Sequence, residues 1–253
     1  MSATTAQAVF GLPSTLTRSR YADLVQSHGS LRAYWRMNER SGTAVADALG
    51  QHNLTTTGTV VAGYSGPMWG GGSFLFDGTS GYITAYDIGD CSLLTFECWV
   101  RCPSLAATRS TLWSDRGNPG VSFALGPGLV GGSAAYNASI EEDAGNTAWG
   151  MGSTGQSVNN DLWHHIVATI SGTNAARMNT GIYTVYVDGL VARSPSADTY
   201  GDGNSVFPFH PDGGVIGRST QGDRYYKGYL SEFAIYGNAL TAAEIRAHYL
   251  ARG

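Results

Sequence analysis

The chain has 253 residues, of which 35 are glycine and only 13% are charged, and its net charge is −4. Lys and Arg are scattered rather than clustered, which excludes the electrostatic footprint of a nucleic-acid or anionic-membrane partner. Abundant glycine with few charges points to an all-β domain rich in tight turns, and no linker divides it, so one large sandwich is expected.

Residues 1–17 are a Ser/Thr/Ala-rich stretch with Pro13 and no periodic pattern. They read as an extended arm that contacts partners or copies of the chain rather than contributing to a core, leaving 18–253 as the domain. The first ten residues lack a basic n-region and a continuous apolar segment, so no secretory signal is expected. No run of roughly 18 apolar residues predicts a spanning helix. The expectation is a protein made in the cytoplasm with reduced cysteines.

Tyr21, Leu24, Val25 and His28 fall on one face of a short helix that stops at Gly29 and feeds a first strand at Leu31. Asp77-Gly78 and Asp188-Gly189 follow apolar runs and carry the dipeptide that accepts positive φ in tight hairpin turns. Cys91, Cys98 and Cys102 cannot all pair within one chain, and their placement around a single extended segment makes them poor partners. All three are expected to be free thiols acting as small apolar fillers.

Ser114 to Asp161 is long enough to hold extra strands and an exposed tip, and its acidic run Glu141-Glu142-Asp143 reads as solvated loop. His164-His165 opens an apolar strand, where alternation sends the rings to opposite faces and argues against shared metal ligation. Arg193 to Gly214 is turn-rich. Phe207, Pro208 and Phe209 there suit a plug for one end of the core, while Tyr200, Asp202 and Asn204 are the candidate ligand-binding residues. Near the C-terminus, Thr241 and Glu244 form a capping box, Leu240 and Ile245 staple across it, and Ile245, His248 and Tyr249 form the buried face of the last helix.

Several segments resemble, in order, the laminin-G-like, concanavalin-A-type jelly-roll family. They are Leu31-Arg-Ala-Tyr-Trp-Arg-Met-Asn-Glu-Arg-Ser-Gly42, Leu75-Phe-Asp-Gly78, Leu94-Thr-Phe-Glu-Cys-Trp-Val100, Leu162-Trp-His-His-Ile-Val167, Tyr186-Val-Asp-Gly189, Ile216-Gly217, Tyr229-Leu-Ser-Glu-Phe-Ala-Ile-Tyr236 and Leu240-Thr-Ala-Ala-Glu-Ile245. The resemblance spans about residues 21–251 and implies a two-sheet antiparallel jelly roll with short helices at either end. Trp35, Phe76, Trp99, Trp163 and Phe233 are then expected in the core.

The resemblance also implies Ca²⁺, held by Asp47 and Asn53 in the loop after the first strand and by Glu232 on the last. Ser231 stands where the family carries a second acid, which weakens that set. No catalytic constellation emerges: no two carboxylates stand two or four residues apart on one strand as retaining glycosidases require, and neither a nucleophile elbow nor a phosphate loop occurs.

The functional expectation is a non-catalytic structural or accessory protein of a bacteriophage particle, as capsid decoration or tail component, with other virion proteins or its own copies as partners. The alternative is a carbohydrate-binding adhesin module for a cell-surface glycan. A third is a glycoside hydrolase whose site is unrecognised.

Overall fold

In the computed structural model, which describes residues 20–84, 94–103, 110–114, 121–127, 136–142, 149–152, 157–171, 182–196 and 214–253, the elements begin with helix α1 (Arg20–Ser27). Strands β1 (Leu31–Trp35), β2 (Ala44–Val45), β3 (Leu54–Thr57), β4 (Val60–Ser65), β5 (Gly72–Asp77) and β6 (Tyr82–Thr84) follow. The middle of the chain forms β7 (Leu94–Arg101), β8 (Ser110–Ser114), β9 (Val121–Pro127), β10 (Tyr136–Glu142) and β11 (Trp149–Gly152). Then come β12 (Trp163–Ser171), β13 (Ile182–Val187), β14 (Leu190–Ser196), β15 (Val215–Ile216), β16 (Lys227–Tyr236) and helix α2 (Ala242–Leu250).

Among the described residues these strands make two eight-stranded antiparallel sheets. One runs β14-β13-β12-β7-β16-β5-β4, with β1 also paired to β16; the other runs β11-β10-β9-β8-β15-β6-β3-β2. Between them lies the main core, with Trp35, Phe76, Phe96, Phe123 and Phe233 buried together. This is the two-sheet antiparallel sandwich that the resemblance implies.

Strand β7 explains why its sequence is buried on both sides. Phe96, Cys98 and Val100 enter the inter-sheet core, while Trp99 points the other way into a second cluster with Tyr21, Val25, Tyr236 and Ile245. Both helices therefore lie on the outer face of the first sheet and give it a second hydrophobic layer. Cys98 and Cys102 are free and buried in the inter-sheet core, and burial pushes the Cys102 thiol up to about 12. Such thiols are unreactive fillers. Cys91 lies outside the described residues.

The turn and helix expectations divide. At Asp188-Gly189 both residues take positive φ (54° and 72°), joining β13 to β14 as a two-residue hairpin with Val187 facing Leu190. Asp77-Gly78 instead carries the chain from the first sheet to the second, because β5 pairs with β16 and β4 whereas β6 pairs with β3 and β15. The Asp77 carboxylate accepts from the amides of Thr79, Ser80 and Gly81 and from both hydroxyls, so a crossing, not a hairpin, uses this aspartate. The helix α2 capping box is present, and Leu240 and Ile245 are buried as a staple. In α1 the buried residues are Tyr21, Ala22 and Val25; Leu24 is half-buried and His28 falls just past the helix.

The expansion after Ser114 holds β9, β10 and β11. Glu141 and Glu142, expected in a loop, end β10 opposite Gly150 and Trp149 in the ladder, since the strand continues two residues further than the glycines suggest. Asp143 lies outside the described residues. Among the described residues no helix is long and apolar enough to cross a membrane.

Candidate functional site

The outer face of the first sheet has two halves of opposite character. Beneath the helices, Glu97 of β7 is completely buried and accepts hydrogen bonds from the Tyr21 hydroxyl at 2.9 Å and the Tyr236 hydroxyl at 2.7 Å. It is also bonded to Nε2 of His165 at 2.7 Å and Nδ1 of His248 at 3.0 Å. Burial alone would raise the Glu97 carboxyl, but the bonds to His165 and His248 prevail and hold it far below the usual carboxylate range. Burial opposes charge on His248 as well, yet the hydrogen bond and charge of Glu97 raise it. This hub joins β7, β12, β16, α1 and α2. With no surface exposed, it is a fastening rather than a substrate site.

A neighbouring fastening uses Glu232, which occupies a bulge in β16 at φ 52° where Ser231 faces Trp99 and Ala234 faces Glu97. Its buried carboxylate takes the Tyr34 hydroxyl and an ion pair with Arg36 at 3.1 Å. Burial nevertheless raises its carboxyl above the usual range. Asp47 accepts four backbone amides, from Tyr34 and Leu49 on Oδ1 and from Gln51 and His52 on Oδ2. Asn53 in turn accepts the Asp47 amide at 3.0 Å.

The oxygens expected to hold calcium are thus committed to the chain itself, with Glu232 already matched to a guanidinium. Asp47, Asn53 and Glu232 do not fit a calcium cage, whose six to eight ligands must be free to face the ion. Among the described residues no group of three or more His, Cys, Asp or Glu could hold a metal. His164 and His165 part as alternation predicts: His164 is bonded to Asp188 at 2.9 Å and Asn160 at 3.0 Å, and His165 turns to Glu97.

The other half of this face is open. In register across four strand pairings lie Trp163, Arg101, Tyr229, Leu75 and Val61. Trp163 is only partly buried, against expectation: it packs at the edge of the cluster beneath the helices and lies on this row. Tyr229 is its centre, meeting the Tyr64 ring edge-on at 5.1 Å and Trp163 at 6.3 Å, while the Arg101 guanidinium lies 5.3 Å from its ring centre.

Two clefts flank this aromatic ridge. One, of about 680 Å³, has Asn38, Glu39, Arg40, Tyr64 and Trp69 in its lining. Trp69 is 93% exposed and Tyr64 40% exposed, whereas the adjacent Met68 is buried and anchors the loop. The cleft floor needs glycine: at Gly63 (φ 94°) a Cβ would come within 2.4 Å of the Arg40 carbonyl oxygen. The other cleft, of about 350 Å³, is lined in part by Val61, Arg101, Asp161, Lys227 and Tyr229.

Sequence reasoning placed ligand binding at Tyr200, Asp202 and Asn204, which lie outside the described residues. It missed Trp69. The signal was present in Gly66-Pro-Met-Trp-Gly-Gly-Gly72, a tryptophan in a glycine run with no apolar period to bury it. Arg101 and Tyr229 were hidden because each sits in a strand that is otherwise buried.

Residues 77–246 match the family model for the concanavalin A-like lectin/glucanases superfamily, and the chain belongs to this family. Compared by sequence with the curated proteins, the chain matches none. Among solved structures it is similar to domain 4 of AbnA, an extracellular arabinanase from Geobacillus stearothermophilus in complex with arabinotriose (19% identity, 87% of this chain and 98% of that one, TM-score 0.63). It is also similar to the binding domain of Paraclostridial Mosquitocidal Protein 1 (15% identity, 87% of this chain, TM-score 0.61), spanning 52% of that structure. Trypanosoma rangeli sialidase in complex with the inhibitor DANA matches at 16% identity and TM-score 0.53 over 89% of this chain, which spans 33% of the sialidase. At these identities the likeness shows the fold, and that fold serves both binding domains and hydrolases.

Proposed function

We propose that the chain is a non-catalytic carbohydrate-binding module whose site is the open half of this outer face. The observation that carries the reading is Trp69, 93% exposed beside Tyr64 over a cleft edged by Asn38, Glu39 and Arg40. Two exposed rings at the edge of one cleft form a contact surface, and an aromatic plane beside amide, carboxylate and guanidinium groups suits a sugar, which offers C–H faces and hydroxyls together. That AbnA domain 4 was solved with arabinotriose supports the reading. The buried acids Glu97 and Glu232 are sealed from solvent, and Asp77 spends both oxygens on its own turn, which supports binding without turnover. Trp69→Ala should abolish retention of the natural protein's glycan on an array, with unchanged unfolding. Equal retention by the variant overturns the site, and release of reducing ends by the natural protein overturns the non-catalytic reading.

The setting we propose is a bacteriophage particle, where a glycan-binding tail or decoration protein contacts the host envelope. It rests on the opening Tyr21-Ala-Asp23 and Tyr34-Trp-Arg36, which resembles that of phage structural proteins. Mass spectrometry of purified particles tests it, and absence of the chain from them removes it.

A further inference from the structure

We infer that the second cleft selects acidic glycans, with Arg101 and Lys227 receiving the anionic group; this deepens, and rests on, the carbohydrate-binding reading. Other basic side chains of this face have oxygen partners: Arg36 pairs with Glu232 and Arg246 donates to the Asp188 carbonyl. Arg101 and Lys227 are different. Among the described residues neither has a carboxylate partner, and Nε of Arg101 is buried without a hydrogen-bond acceptor. Lys227 stands opposite Asp77 in the ladder, yet the Asp77 carboxylate is turned into five bonds within its own turn and is held far below the usual range against the effect of burial.

Two cations without a carboxylate partner, in one cleft that Asp77 and Asp161 also line, are therefore open to an anion from outside the chain. The Arg101 fork, backed by Tyr229 and flanked in register by Trp163, presents planar donors suited to a carboxylate or sulfate ester. Asp161, exposed in the same cleft, is an acceptor for sugar hydroxyls and at the same time opposes the anion. Tyr64 lines the Trp69 cleft and Tyr229 lines this one, and the two rings touch, so one oligosaccharide can span both clefts over that ridge.

The test is calorimetry on the full chain with oligogalacturonates, a sulfated galactan and neutral galacto-oligosaccharides of equal length. An acidic ligand should bind at least about tenfold tighter than its neutral counterpart at low salt. The advantage should shrink as ionic strength rises. Lys227→Gln and Arg101→Gln should each erase most of it while neutral binding persists, and Asp161→Asn should enlarge it. Preference for the carboxylate or the sulfated ligand identifies which anion is read. Equal, Trp69-dependent affinity for acidic and neutral ligands overturns this inference alone, and Lys227→Gln, on an exposed position, decides it even if Arg101→Gln fails to fold. Failure of every glycan to bind overturns the carbohydrate reading and this inference with it.

Discussion

Glu97 and His248 lie 3.0 Å apart although 151 residues separate them, so a carboxylate at the middle of a sheet is held by an imidazole from the last helix. With the Tyr21 and Tyr236 hydroxyls and His165 completing its shell, the buried charge is satisfied from four other elements at once. Removing one partner of a buried, bonded charge leaves the others unmatched. Glu97→Ala should therefore lower stability by about 3–5 kcal/mol in a denaturant titration. A loss under about 1 kcal/mol would show that the hub is not holding the helices down.

The same hub sets a pH dependence. His248 is raised in the folded state, so its contribution is complete below about pH 6.5, the ordinary imidazole value, and is lost as pH rises through the folded pKa. Glu97 is lowered, so its contribution is present above about pH 4.3 and is lost as pH falls toward the folded pKa. Glu232, raised by burial, acts in the opposite sense and costs stability as pH climbs above the ordinary carboxyl range. Melting temperature should fall as pH rises above about 6.5 in the natural protein and be flatter there in His248→Gln. Parallel profiles for the two proteins would contradict the assignment.

Trp99 and Trp163 occupy strands side by side but differ in depth. Trp99 is fully buried against the stacked Tyr249 ring 5.9 Å away, and its replacement by Ala should cost about 3–5 kcal/mol. Trp163, on the open row, should cost about 1 kcal/mol and weaken glycan binding instead. Chemical denaturation paired with calorimetry separates the two, and equal losses would place Trp163 in the core.

Asp47 offers a test of the metal reading. Its side chain is the common acceptor for four amides in one loop, so Asp47→Ala should cost at least about 2 kcal/mol through unsatisfied donors. Thermal unfolding should be the same in millimolar calcium and in chelator. A calcium-dependent rise in melting temperature that disappears in Asp47→Ala would restore the ion to this loop.

How much of this was legible in the sequence depends on the range of the interactions. Local patterns carried the turn and the last helix cap: the Asp188-Gly189 turn and the Thr241–Glu244 box are each specified within a few residues, and the structure has both. Depth across a sheet is not local. Nothing near Trp163 reveals that it stands at the edge of the second cluster, and nothing near Asp77 reveals that β6 joins the other sheet. The roles of Asp47 and Glu232 failed to show for the same reason: their oxygens are claimed by amides and by Arg36, partners that only the closed fold brings together.

Strand β16 has a consequence for the order in which the molecule can assemble. Late in the chain, it lies between β7 on one side and both β5 and β1 on the other. Without it the first sheet is in pieces: a β14-β13-β12-β7 block, a β5-β4 pair and a lone β1. A nascent chain emerging from the ribosome must therefore keep these apolar fragments apart until Lys227–Tyr236 has been made, and the Glu97 charge waits longer still for His248. Folding governed by such distant pairings is slow and exposes unpaired strand edges, so the yield of soluble protein should depend on chaperone capacity during synthesis more than on final stability.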